Sequence, residues 1–190
     1  VPIFTARYLS YCAPAAAILI ACALGWIARG RRWALALGVA LVVAAAVPSY
    51  LSQRTPYAKN NSDWAVTSAI VGAHAQPGDA VAFDESVRPS RRPRLALHTY
   101  PQGFVNVRDV TLKLPFTENT TWSDTAYSIS AAAARGRLDG VHRMWLIEYA
   151  TPTHVDSYDV AALRALGFVE SAHFRAHRSV VYEFVGGKTG

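Results

Sequence analysis

The chain has 190 residues, 52% of them hydrophobic, and a formal net charge of +6. Residues 1–53 carry four basic side chains (Arg7, Arg29, Arg31 and Arg32) and no acid, so +4 of that charge falls there and +2 in the remainder. Nucleic-acid binding needs basic residues gathered on one face of a folded domain; here the excess brackets apolar segments, which points to a membrane and argues against a nucleic-acid partner.

Two apolar runs come first. Residues 8–28 and 33–53 are uncharged and rich in Ala, Leu, Ile and Val. A helix of about 20 residues crosses the roughly 30 Å hydrocarbon layer. The runs therefore predict a transmembrane helical hairpin over 1–53, with helices at about 8–28 and 33–53. Tyr8, Tyr11, Trp26, Trp33 and Tyr50 lie near the ends, as interfacial aromatics do. Pro14 and Pro48 fall near helix ends, and neighbouring helices can satisfy the backbone groups they free. Arg29, Arg31 and Arg32 fill the turn; basic residues beside helix ends favour the cytoplasm. The turn is then inside, and Arg7 and everything after residue 53 are outside. A signal peptide would need a shorter apolar core and no second run directly behind it. The chain opens on Val1, almost directly in an apolar run, and reads as the C-terminal part of a longer, multi-pass protein of the cell membrane. Cys12 and Cys22 stand ten residues apart on one predicted helix, about 15 Å at 1.5 Å per residue, which is beyond disulfide reach.

Residues 54–62, with Pro56 and two asparagines, read as a linker, and 63–190 as an extracytoplasmic α/β domain. Ser62 or Asp63 can cap a helix reaching about Ala75. Gln76-Pro77-Gly78-Asp79 is a turn, and residues 80–83 are a short buried strand. Residues 88–94, with two prolines and four arginines, form a loop. Residues 107–114 alternate as a strand interrupted by Asp109; 124–135 read as an Ala-rich helix capped by Ser123 or Asp124. Residues 143–149 form the strongest strand, and 156–166 a helix ended by Gly167. Residues 168–173 and 180–185 form a final hairpin. Strands alternating with helices predict a mainly parallel sheet covered by helices, with the C-terminal hairpin as an antiparallel edge.

Neither nucleotide-binding glycine motif is present. His173 and His177 fall on one face of a strand but about 13 Å apart at 3.3 Å per residue, too far to share one metal unless the chain bends. Asp84 and Glu85 follow the first strand at its carboxyl end, where ligands of open α/β sheets bind. They read either as an acid or cation site or as solvated acids opposed by Arg88, Arg91 and Arg92. The basic loop 88–94 reads either as a lipid-phosphate or glycan contact or as a solvated loop. Asn60-Asn61-Ser62 and Asn119-Thr120-Thr121 match the short glycosylation acceptor pattern. Arg7 precedes an uncharged helix on its outer side. It reads as a snorkelling anchor or as a guanidinium that grips a phosphate bidentately.

Three stretches carry a resemblance: "FTARYLSYCAP" from Phe4, with an R-Y-L…P pattern opening a membrane helix; "NNSDWAVTSAIVGAHAQPGDAVAF" over 60–83; and "RMWLIEY" with "LGFVESAHFRAHRSVVYEF" further on. The chain resembles the C-terminal part of polyprenyl-phosphate-sugar-dependent integral-membrane glycosyltransferases. These are related to protein O-mannosyltransferases and the aminoarabinose transferase of lipid A, and the match is to the actinobacterial type. The resemblance implies transfer of a sugar from a polyprenyl-phosphate carrier to an extracytoplasmic acceptor. It implies that Arg7 and Tyr8 lie near the carrier phosphate, with membrane lipid and the lipid-linked sugar as partners. The family's catalytic carboxylate lies in an early outer loop, so no catalytic residue, metal ligand or cofactor is assigned within 1–190. The competing expectation is a non-enzymatic, membrane-anchored binding or scaffold domain.

Overall fold

In a computed structural model, which describes residues 10–55, 57–58, 61–151, 154–155 and 158–186, the chain divides into two units, Val1–Ala58 and Lys59–Gly190.

The first unit is a helical hairpin. A single 3₁₀ turn, Ser10–Cys12, leads into α1 (Ala13–Ala28), and α2 spans Arg32–Gln53. Proline lacks an N–H and has its φ preset, so it suits a first helical turn; Pro14 opens α1 in this way. The expected start at residue 8 lies outside the described residues. As described, α1 has 16 residues, about 24 Å at 1.5 Å each. That is shorter than the predicted span. Helix α2 has 22 residues and a mean hydropathy of 2.2, long and apolar enough to cross a membrane by itself. Between them Arg29 takes a left-handed φ of 45° and Gly30 a φ of 79°, which turns the chain in three residues. At Gly38 an added Cβ would stand 2.6 Å from Leu24 Cδ2, so the leucine side chain of α1 packs into the space that the glycine of α2 leaves. No residue of α2 is buried, and large apolar side chains such as Ile18, Leu19, Leu41 and Val43 are exposed.

The second unit is an α/β fold. Its elements are α3 (Trp64–His74), β1 (Asp79–Phe83), α4 (Leu95–Thr99), β2 (Val107–Asp109), β3 (Leu112–Leu114), β4 (Thr125–Ala126), α5 (Ile129–Ala133), β5 (Arg143–Thr151), β6 (His154–Val155), α6 (Tyr158–Ala165), β7 (Phe168–Arg175) and β8 (Ser179–Gly186). The main sheet runs β2-β1-β5-β8-β7, with β6 paired to β5. Strands β2, β1 and β5 are parallel, whereas β8 and β7 are antiparallel to their neighbours. The sheet is thus mixed, with parallel strands at its core and the expected C-terminal hairpin completing it.

Strand side chains alternate between faces, and both faces of the central strands are buried. Ala80, Ala82, Met144, Leu146 and Phe184 face α5 and α6 through Ile129, Ala132, Val160 and Leu163. Val81, Phe83, Trp145, Ile147 and Val181 pack against α3 and α4 through Trp64, Val71 and Ala96. Trp145 is fully buried, and its indole N–H donates to Asp79 Oδ2 at 2.9 Å, which leaves its one polar atom satisfied.

The structure corrects the helix predicted over 124–135. Asp124 does not cap a helix: its carboxylate accepts the Phe116 N–H at 2.7 Å and contacts His98 Nε2 at 2.6 Å. Thr125–Ala126 pairs with β3, and the helix begins only after Ser128, whose hydroxyl accepts the Ala131 N–H at 3.2 Å. Gly136, with φ of 68°, then turns the chain away. The strand expected over 107–114 breaks where Asp109 Oδ1 accepts the Thr111 and Leu112 N–H groups, both at 3.0 Å. Asp63 also departs from its predicted role: its carboxylate accepts the Arg178 N–H at 2.6 Å and the Ser179 hydroxyl at 2.9 Å, tying α3 to the β7–β8 turn.

Helix α3 meets the 3₁₀ turn Pro101–Phe104 backbone to backbone. An added Cβ at Gly103 would fall 1.9 Å from Ser68 O and 2.4 Å from Ser68 Oγ. The clash is with a helix backbone that cannot swing aside. Overpacking costs about 1–3 kcal/mol, occasionally more, and Gly103→Ala should cost at least the upper end of that range. Urea unfolding followed by near-ultraviolet circular dichroism checks this, and an unchanged midpoint would rule the close approach out.

Candidate functional site

The pleat itself assembles the site. Along β1, Ala80 and Ala82 face α5 and α6, and the next residue on that face is Asp84. Along β5, Met144 and Leu146 share that face, and the next is Glu148. The register pairs Phe83 with Ile147, and the Asp84 N–H donates to Ile147 O at 2.9 Å. Parallel pairing therefore sets Asp84 and Glu148 side by side at the carboxyl end of the sheet. The first turn of α6 adds Asp159. Ligand oxygens of Asp84, Glu148 and Asp159 all lie within 4.8 Å of one another, with Asp84 and Glu148 buried and Asp159 half-buried. Three carboxylates at that spacing match the oxygen-rich donor set of a hard divalent cation, so these are the residues that could hold one.

The place follows a rule of open α/β sheets. The chain leaving β1 crosses to β2 on one side, whereas the chain leaving β5 continues to β7 and β8 on the other. Ligands bind in the crevice outside the carboxyl ends at such a switch point. A cleft of about 210 Å³ opens there, lined among others by Asp84, Glu85, Tyr127, Ser128, Tyr158 and Asp159.

Asp84 is held rigidly. Its Oδ1 accepts the Ser86 N–H at 2.6 Å and its Oδ2 the Tyr149 N–H at 3.2 Å. Glu85 is not opposed by Arg88 or Arg91, as a solvated loop would have it. It pairs with Arg92 at 2.8 Å and with the Nε of Arg94 at 2.5 Å. Arg94 is itself buried; it also donates to Asp109 and, at 2.8 Å, to Thr111 Oγ1, and it lies 4.9 Å above the Phe83 ring. The basic loop therefore divides: Arg92 and Arg94 turn inward, and Arg88 and Arg91 stay exposed. Burial pushes the Glu85 carboxyl above its ordinary value, outweighing the downward pull of Arg94 and Arg92. Tyr182 is pushed up as well, first by burial and then by the nearby Glu148 carboxylate.

The remaining candidates take other places. His173 lies on β7 with Nδ1 3.1 Å from Glu170 Oε1, and His177 lies in the turn that follows. Asn119 spends its side chain locally, donating to Ser123 O at 2.9 Å. Cys12 and Cys22 are free and exposed. Arg7 and Tyr8 lie outside the described residues. Sequence reasoning found Asp84 and Glu85 but missed Glu148 and Asp159. The missed signal was a carboxylate continuing an inward-facing apolar row, Met144, Leu146, Glu148, within a strand otherwise buried. No family model, curated protein or solved structure matches the chain.

Glu85 makes a testable contribution to stability. Its folded-state pKa is raised above the ordinary 4.5, so the stabilisation it brings is complete below that value and is lost as pH rises through the folded value. The unfolding free energy of the native protein, relative to Glu85→Gln, should therefore fall as pH rises above 4.5. Urea titrations of both proteins across this range read the difference directly; a difference that grows with pH would reverse the sign.

Proposed function

We propose that the chain is the C-terminal part of a membrane glycosyltransferase that moves a sugar from a polyprenyl-phosphate carrier to an extracytoplasmic acceptor. One combination of features carries this reading. A hairpin whose large apolar side chains are exposed shares a chain with a separately folded α/β unit bearing a polar cleft. Exposed apolar surface on this scale asks for a covering, and lipid supplies it. The motifs around Arg7, 60–83 and 143–149 supply the resemblance to transferases. Both apolar helices then cross the membrane, with the Arg29–Arg32 turn in the cytoplasm and the α/β unit outside. The α/β unit shapes access of the acceptor, and the catalytic carboxylate belongs to an outer loop upstream of these residues. Arg7, with Tyr8 beside it, faces the carrier phosphate.

A second reading, an anchored binding domain without catalysis, draws support from the way the cleft carboxylates are engaged. Asp84 is bound by two backbone amides and Glu85 by two guanidiniums, an arrangement that suits holding a ligand more than moving a proton.

Two measurements test the proposal. A reporter active only outside the cytoplasm should work when fused after Gly190 and fail when inserted at residue 30; the opposite pattern would invert the topology. Transfer from a purified polyprenyl-phosphate sugar by the full-length protein should drop roughly 10- to 100-fold in Arg7→Ala, since a charge-assisted bond contributes about 1.5–3 kcal/mol. Arg7→Lys should recover only part of that activity, because it loses the planar fork. If Lys serves as well as Arg, the side chain is an anchor, and absence of transfer by the native protein favours the binding-domain reading.

A further inference from the structure

We propose that the cleft at the carboxyl ends of β1 and β5 binds one pyranose ring of a glycan through its hydroxyls, and that it does not take the carrier phosphate. The inference rests on the transferase reading only for the source of the glycan; the recognition chemistry comes from the cleft.

Size comes first. The cleft measures about 210 Å³. That suits a single six-membered ring with its substituents. It is below the roughly 300–1,000 Å³ of sites for larger ligands.

Charge narrows the choice. Asp84, Glu85 and Asp159 line the cleft, Glu85 with Arg92 and Arg94 bound to it, and among the described residues that line it none is a lysine or arginine. A phosphate or carboxylate ligand would meet like charge at short range and lose its hydration without compensation. An uncharged ligand rich in O–H donors meets the opposite situation. Asp84 is fully buried with an amide on each oxygen, and Glu85 is held by Arg92 and Arg94, so the half-buried Asp159 carboxylate is the acceptor offered to a hydroxyl, and such charge-assisted bonds are about twice as strong as neutral ones. Ser128 adds a hydroxyl that can both donate and accept.

The aromatic wall completes the match. Tyr127 and Tyr158 line the same cleft. A pyranose has an apolar C–H face as well as a polar edge, and an aromatic ring suits the former. Tyr127 is pre-set by the Arg135 guanidinium, 4.4 Å from its ring centroid. Tyr158 is 63% exposed and opens α6 one residue before Asp159. Helix α6 thus presents a ring and a carboxylate side by side at the mouth. The Ser86 and Tyr149 amides fix the Asp84 carboxylate, so that part of the cleft needs no reordering on binding, which lowers the cost of capture.

The test uses the full chain in nanodiscs free of sugar detergents. Saturation-transfer nuclear magnetic resonance is recorded with the methyl glycosides of mannose, glucose, galactose and N-acetylglucosamine. At least one should bind with a dissociation constant in the low-millimolar range, as expected for a ligand of about a dozen heavy atoms. Asp159→Asn should weaken binding roughly 10- to 100-fold, the loss of a bond to a charged acceptor, and Tyr158→Ala should weaken it several-fold. Asp159→Asn relieves the crowding of three carboxylates but also removes the acid from the first turn of α6, two effects of opposite sign, so its melting temperature should stay close to that of the native protein. Loss of affinity without loss of stability separates recognition from folding. Inorganic phosphate at the same concentrations should not compete. No glycoside signal, a signal indifferent to Asp159→Asn, or competition by phosphate would each overturn the proposal. Saturable calcium binding without any glycoside signal would also overturn it, making the cleft a cation site. Glycoside binding by a full-length protein that transfers no sugar would instead reject the transferase reading and leave the cleft assignment standing.

Discussion

One buried guanidinium organises the carboxyl end of the sheet. Arg94 enters from the basic loop and is 3% exposed. It reaches Glu85 just past β1, Asp109 at the end of β2 and Thr111 just past it, while its guanidinium carbon lies over the ring of Phe83 at the end of β1. An arginine buried without partners would be prohibitive, and two carboxylates with a hydroxyl answer its donors. The result is that the two connecting segments are fixed against the strand ends they leave. The cleft wall at Glu85 and Thr111 is therefore rigid because of a residue that does not line the cleft. Removing a partner of this network would strand a buried charge, and the loss would be felt at both loops together.

The same network explains the tension around Glu85. Burial favours its neutral form, whereas Arg92 and Arg94 favour the charged one, and burial prevails. A solvated loop acid would show neither effect. The carboxylates of Asp84, Glu148 and Asp159 lie within 4.8 Å of one another, so like charges are gathered where the fold would be more comfortable without them. Local conflicts of this kind collect where a structure serves something other than its own stability.

Much of the α/β unit was legible because its signals are local. The strand "RMWLIEY" alternates between two apolar rows, Gly167 closes α6, and the final hairpin shows two β-rich runs around a short turn. What failed was nonlocal. The Ala-rich stretch 124–135 looks helical by propensity, but Asp124 is claimed by Phe116 and His98, and Thr125–Ala126 by β3. Tertiary demands overrode propensity there, as they commonly do. Asp63 sits where a helix cap belongs, yet its carboxylate serves Arg178 and Ser179, more than a hundred positions away in the chain. No window centred on Asp63 contains that information. In the helical hairpin, the turn and the apolar length of α2 were readable from composition, whereas the onset of α1 depends on the backbone consequence of Pro14.

The candidate site illustrates the same division at finer scale. Asp84 was found because it follows a predicted strand, which requires no knowledge of the partner strand. Glu148 was missed although it continues the inward row of Met144 and Leu146, since a carboxylate in an apolar row can be read as the end of burial. The register decides between these meanings. Because β1 and β5 run parallel with Phe83 beside Ile147, the row of small and apolar residues on each strand ends in an acid at the same height. Either acid alone would be an isolated buried charge with little to justify it. Two acids at one height, met by the first turn of α6 with Asp159, form a carboxylate cluster at the switch point of the sheet, and Asp84 and Asp159 of that cluster line the cleft. Moving one strand by a single residue would turn its acid to the opposite face, against α3 and α4, and dissolve the site. The site is thus a property of strand register, and the tightly packed apolar rows that hold the register are as much a part of it as the carboxylates.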